Sequence, residues 1–146
     1  MKILIGVDDS THSKAALEYV KAMRWPAGTR FVVFAACMPA MAYTMVDAGP
    51  VTWMRTAEED MTVQAQELTA RVERELRDAG LATEAKVVHG DPREAIVDAV
   101  RTMGVDMVVV GSHGRTGLGK LLMGSVASHV VTHAPCTVTV VKTKKL

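Results

Sequence analysis

Short continuous apolar runs alternate along this chain with longer stretches in which apolar residues recur every three or four positions. Lys2 to Val7, Arg30 to Cys37 (RFVVFAAC) and Met107 to Val110 are runs of the first kind, the pattern of strands covered on both faces. Ala82 to Val88 is a weaker, more alternating strand, and Thr137 to Val141 is a fifth. Between them lie four helical patterns. Ala15, Ala16, Leu17, Val20 and Met23 form an apolar stripe that can be capped by Ser10 or Thr11 and that stops at Trp25-Pro26 before Gly28. Thr56 to Ala79 reads as a long helix with Met61, Leu68, Val72 and Leu76 on its buried side and Gly80 as its C-cap. The turn His89-Gly90-Asp91-Pro92 leads into a helix through Ile96, Val97, Val100 and Met103 to Gly104, with Pro92 at the first position. A last helix covers Gly124 to His133 and ends at Pro135.

Strictly alternating strands and helices predict an α/β fold with a mostly parallel, doubly wound, Rossmann-like sheet. Residues 1–146 are expected to form one domain, with no internal repeat. Met38 to Met54 is the irregular part; its Met38, Met41, Met45 and Met54 suit a partner surface, a lid over a ligand or a cover for the edge of the core. In such folds ligands sit beyond the carboxyl ends of the strands, at the switch point. Asp8, Ala36 and Gly111 fall at three such ends and are expected to converge on one crevice.

The chemistry concentrates just after the fourth strand. Gly111, Gly114, Gly117, Gly119 and Gly124 fall within fourteen residues, and Ser125 opens an apolar helical segment. A buried strand running into a glycine loop and then a helix start is the geometry of a phosphate site: glycine lets backbone N–H groups approach an anion, and the helix start adds unpaired donors and partial positive charge. Two better-known motifs nearly match and fail. Gly114-x4-Gly119-Lys120 is followed by Leu121 instead of the hydroxyl a Walker A loop needs, and Gly117-x-Gly119-x-x-Leu122 lacks the third glycine of a dinucleotide fingerprint. The segment Gly6-Val7-Asp8-Asp9-Ser10 also lacks the SGGxDS-like loop of ATP-pyrophosphatase relatives of this fold.

The spacing Gly111-x2-Gly114-x9-Gly124-Ser125 resembles the nucleotide-binding branch of the universal stress protein family, as do IGVDDS in the first strand, the HGDP turn, GSHGRTGL and HAPC. The resemblance covers almost the whole chain, least well at Met38 to Met54. It implies a flavodoxin-like five-stranded sheet of order 3-2-1-4-5, ATP with Mg at the strand ends, and a homodimer paired through Thr137 to Val141. Residue by residue, it implies Asp8 at the nucleoside, Gly6 and Val7 along the adenine side, Ala36 against the base, and Val110, Gly111, Gly114, Gly124, Ser125 and Val126 around ribose and phosphates. His113 lies beside the expected phosphates, and Arg115 and Lys120 are cations that could neutralise them, whereas Gly119 stands where the family often has a basic residue.

Each of these residues also has a plainer role. Asp8 could cap the first helix, Ser125 could act as the N-cap of the last, and His113 could be a structural loop histidine with no carboxylate or nucleophile placed beside it by sequence. His129 and His133 are four apart on a helix and lack a third metal ligand.

Composition narrows the function classes. The chain has 146 residues, 49% apolar and 23% charged, with a net charge of +1. That balance gives no electrostatic case for nucleic acid or an anionic membrane. The first apolar run is cut by Asp8 and Asp9 and is too short for a signal peptide or a span. Cys37 and Cys136 lack a CxxC partner and suit small buried positions in a reduced, cytoplasmic protein. The expected function is a nucleotide-dependent stress-response or signalling dimer that leaves room for a protein partner. The alternatives are a slow ATPase or autophosphorylating enzyme, for which no committed nucleophile or base stands out, and a scaffold dimer that binds no nucleotide.

Overall fold

The computed structural model describes residues 1–38, 51–115 and 122–143. Its elements follow in the order β1 (Lys2–Gly6), α1 (Thr11–Ala22), β2 (Arg30–Cys37), α2 (Val51–Asp78), β3 (Ala82–His89), α3 (Pro92–Met103), β4 (Met107–Gly111), α4 (Ser125–His133) and β5 (Thr137–Val141). The five strands form one sheet of order β3-β2-β1-β4-β5, and every neighbouring pair is parallel. This is the order the sequence resemblance implied.

Two apolar layers sandwich the sheet because alternate strand residues point to opposite faces. Ile3 and Ile5 of β1 pack with Phe31 and Val33 of β2 under Leu17 and Val20 of α1 and Leu68, Val72 and Leu76 of α2. Leu4, Phe34, Val108 and Val110 face the other way, onto Ile96 and Val100 of α3 and Ala127 and Val130 of α4. The interior strands are therefore buried on both faces, which accounts for their unbroken apolar runs. Among the described residues β5 has a strand neighbour on one side only, and its Val138 to Val141 are half-buried.

Helix ends follow local chemistry. Ser10 caps α1, its hydroxyl accepting from the Ser13 N–H at 3.1 Å. Asp91 caps α3, accepting from the Arg93 N–H at 2.9 Å, with Pro92 in the first turn and Gly104 closing the helix at φ 62°. α2 starts at Val51, five residues before the position expected from the pattern. The rest of the irregular connection, 39–50, lies outside the described residues. No helix among the described residues is long and apolar enough to cross a membrane.

The chain leaves β1 toward β2 and leaves β4 toward β5, in opposite directions across the sheet. The following helices, α1 and α4, accordingly lie on opposite faces, and the loops after β1 and β4 part to open a crevice at the carboxyl ends of the strands.

Candidate functional site

A cavity of about 460 Å³ occupies that crevice, within the roughly 300–1,000 Å³ range of small-molecule sites. Val7 and Asp8 border it from β1, Ala36 from β2, Gly111, His113, Gly114 and Arg115 from the loop after β4, and Gly124, Ser125 and Val126 from the start of α4. A narrower, mostly apolar slot of about 110 Å³ adjoins it. The slot shares Val7, Asp8, Ala36, Gly111, Gly114 and Val126, and adds Gly6 and Val110 with Phe34 and Ile96. The residues expected from separate strand ends thus meet in one place. Lys120, Gly117 and Gly119 lie outside the described residues.

Two sets of backbone groups give the crevice polarity. In a parallel ladder successive residues direct their N–H and C=O alternately to the two neighbouring strands. The Phe34 C=O accepts from the Val7 N–H at 2.9 Å on the β1 side, and the Cys37 C=O accepts from the Gly90 N–H at 2.8 Å on the β3 side. Ala36 therefore turns its N–H and C=O toward β1 just past the point where β1 has ended. Neither group has a hydrogen-bond partner among the described residues. A donor and an acceptor side by side at the rim of an apolar slot suit the edge of a planar heterocycle.

The second set is the start of α4. Its N-cap is Gly124, with no side-chain cap, and the first helical bond is the Ser128 N–H to the Gly124 C=O at 3.0 Å. The N–H groups of Ser125, Val126 and Ala127, all bordering the cavity, therefore have no acceptor within the helix. Ser125 is accordingly the first helical residue and not the cap expected from sequence. An anion would satisfy these donors and the positive end of the helix.

The glycines act through close approach. A Cβ on Gly111 would come within 2.5 Å of the His12 backbone, one on Gly114 within 2.8 Å of Asp8 Oδ2, and one on Gly124 within 3.0 Å of His113 Cα. None of the three has positive φ. Gly111 is thus required by the packing of β4 against α1 as well as lining the cavity.

Asp8 stands at the mouth of the slot. Its Oδ1 accepts from the Ser10 N–H at 3.1 Å, its N–H donates to Ser13 Oγ at 3.3 Å, and its C=O accepts from Arg115 Nε. It shapes the turn into α1 while Ser10 does the capping. Asp9 turns outward at φ 63° and pairs with Arg71 at 3.0 Å and Lys14 at 3.5 Å. His113 borders the cavity, and Ser112 Oγ lies 3.1 Å from its Nδ1 and 3.2 Å from His12 Nδ1. Ser112 itself is 2% exposed.

Sequence reasoning missed the α2 wall of the crevice, formed by Met61, Gln64, Ala65 and Leu68, and the contribution of Pro92 from α3. Met61 and Leu68 belong to an apolar stripe that gave no sign of continuing past the sheet. Cys37 also borders the cavity; its thiol donates to the Met61 C=O at 3.6 Å. Burial pushes this thiol above its ordinary pKa, opposed by the Arg115 charge. His129 and His133 stack with centroids 4.1 Å apart, and His129 Nε2 lies 3.1 Å from Glu94 Oε1 across the α3–α4 seam. No group of three His, Cys, Asp or Glu among the described residues could hold a metal.

Fold and crevice together define a flavodoxin-like α/β protein with a cavity at the switch point of its sheet. The model of the universal stress protein family matches residues 1–142, and the chain belongs to that family. A universal stress protein of Thermus aquaticus is 32% identical over 142 residues, covering 96% of this chain and 97% of its own. The solved structure of protein MJ0577 superposes with a TM-score of 0.87 at 28% identity, covering 99% of this chain and 97% of that one. A family member from Arabidopsis thaliana, solved with AMP bound, superposes with a TM-score of 0.72 at 21% identity over 99% of this chain and 92% of its own. Other family structures of the same fold were solved in complex with cAMP and with dAMP.

Proposed function

We propose that the crevice binds an adenine nucleotide, ATP with its Mg, and that the protein is a nucleotide-dependent module of the stress response rather than a dedicated enzyme. The observation that carries this reading is the pairing, in one cavity, of an apolar slot rimmed by the free Ala36 N–H and C=O with the uncapped start of α4. The slot suits the base, with Gly6, Val7 and Val110 as its walls, and the Ala36 edge offers a donor and an acceptor to the adenine rim. Asp8 and Gly111 face the ribose. Gly114, Ser125 and Val126 present backbone N–H groups to the phosphates, Gly124 lacks a side chain that would stand in their way, His113 and Arg115 lie beside them, and Lys120 is a further cation. Mg would enter with the nucleotide and neutralise phosphate charge, and Asp8 is a carboxylate bordering the same cavity. The AMP, cAMP and dAMP complexes of family structures support an adenine ligand.

One domain, residues 1–146, carries the site, and two copies pair through β5 in the cytoplasm to present a surface to a protein partner. Neither nucleic acid nor membrane is needed as a partner for this role. Calorimetric titration tests the ligand. The wild type is expected to bind Mg-ATP, and Ser125→Asp is expected to weaken binding at least tenfold while keeping its melting temperature, because a carboxylate suits a helix start but repels phosphate. Equal affinity in the two proteins would overturn the assignment of the α4 start.

A further inference from the structure

Arg115 is the one permanently charged cation among the described residues that border the cavity. By sequence it is a charge that could neutralise phosphate. The structure gives its side chain a second attachment: Nε donates to the Asp8 C=O, on the opposite lip of the crevice. β1 ends at Gly6, the N-cap of α1 is Ser10, and the Lys14 N–H donates to the Ser10 C=O at 3.0 Å. Asp8 therefore lies between strand and helix, and its C=O has no main-chain donor among the described residues. Gly114 brings the two loops together. A Cβ there would come within 2.8 Å of Asp8 Oδ2, so the loop after β4 passes against the Asp8 carboxylate before Arg115 turns to the Asp8 carbonyl. From the α1 side, the Ser10 N–H donates to Asp8 Oδ1 at 3.1 Å, and Ser13 Oγ accepts from the Asp8 N–H at 3.3 Å. Asp8 is thus gripped by α1 on one side and by Gly114 and Arg115 on the other.

A guanidinium carries five N–H donors in a planar fork. The Asp8 bond uses the one on Nε. The four on the terminal nitrogens have no partner among the described residues, and their outer edge has the spacing to meet two phosphate oxygens at once. One side chain can therefore hold the Asp8 turn and an anion together. A lysine lacks this division, because its donors share a single nitrogen on a flexible stem. Arg115 is exposed, and in water such a bond adds little to stability. A ligand that fills the cavity displaces that water, and the bond strengthens in the lower dielectric. Its effect then belongs to binding and not to folding.

We propose that Arg115 is a positioning residue that couples the two halves of the ligand: its Nε fixes the Asp8 turn at the nucleoside while its terminal nitrogens hold phosphate. The inference rests on the nucleotide-binding reading of the crevice and deepens it. The site selects a nucleoside that carries phosphate over an unphosphorylated one, and it does so through one side chain that answers to both parts.

Calorimetric titration of the wild type, Arg115→Ala and Arg115→Lys with Mg-ATP and with adenosine tests it. Arg115→Ala is expected to bind Mg-ATP roughly tenfold or more weakly and adenosine roughly threefold more weakly. Arg115→Lys keeps the charge, and it is expected to recover part of the Mg-ATP affinity and none of the adenosine affinity. A residue that only neutralises phosphate would leave adenosine binding unchanged in both variants. One that only shapes the loop would lower the melting temperature and weaken both ligands by the same factor. Full recovery of both affinities in Arg115→Lys would assign the effect to charge alone. Each of these three results overturns the proposal, as does a wild type that binds only one of the two ligands. A wild type that binds neither would instead overturn the nucleotide reading, and the role of Arg115 with it.

Discussion

Glycines 111 and 114 look alike in the sequence, both in a polar loop after a buried strand, yet they face different neighbours. The missing Cβ of Gly111 would strike the His12 backbone at 2.5 Å, which cannot yield without moving α1. That of Gly114 would meet only the end of the Asp8 side chain at 2.8 Å. Gly111→Ala is therefore expected to lower unfolding free energy by roughly 1–3 kcal/mol. Gly114→Ala is expected to cost under about 1 kcal/mol while weakening Mg-ATP binding, because it displaces Asp8. Denaturant unfolding and calorimetry on both variants check this, and equal losses of stability would contradict it. The spacing of the glycines was legible in the sequence, and it pointed to the loop that borders the cavity. Which glycine serves packing was not, because that depends on α1, a hundred residues earlier in the chain. The same distance hid the contact between His12 and Ser112.

At the scale of elements, the apolar pattern located every strand and helix, since each buried face leaves its own period in the sequence. The boundaries were less legible where a cap is made by backbone alone. Ser125 looked like a cap because of its residue type, but the chain places Gly124 there and gives α4 no side-chain cap. α3 is the contrasting case, with Asp91 at its N-cap and the Arg93 side chain on both carboxylate oxygens. Hydrogen bonding from Arg93 holds the Asp91 carboxyl below its ordinary value of 3.8, with burial opposing. A folded-state pKa below the unfolded one stabilises the protein above the unfolded value, and this contribution is lost as pH falls through the lowered value. Asp91→Ala is thus expected to lose about 1 kcal/mol at neutral pH, and its deficit relative to the wild type is expected to shrink below about pH 3.8. Urea unfolding at pH 7 and pH 3 makes the comparison; a deficit of the same size at both would contradict it. The α2 wall of the site was not legible because the stripe that packs on the sheet and the residues that overhang the crevice have the same apolar character.

For the whole molecule, the order β3-β2-β1-β4-β5 puts the crevice at the centre and leaves β5 as an edge. An edge strand presents unpaired backbone groups, and the direction of β5 decides which ones. The Val141 C=O accepts from the Ser112 N–H on the β4 side, so by alternation Val138 and Val140 turn their N–H groups outward. If two copies pair through this edge, Val140→Pro removes an outward donor and spares the β4 ladder, a position where proline is tolerated. Sedimentation is expected to show a dimer for the wild type and a monomer for Val140→Pro with its nucleotide affinity retained; a Val140→Pro dimer would contradict pairing through β5. The central claim, that the crevice is a nucleotide site, is tested most directly by mass spectrometry of the small molecules released when freshly purified protein is denatured. The account predicts ATP or ADP in near-stoichiometric amount, or, for an empty protein, saturable uptake of added Mg-ATP. An empty extract followed by no uptake of Mg-ATP would contradict it.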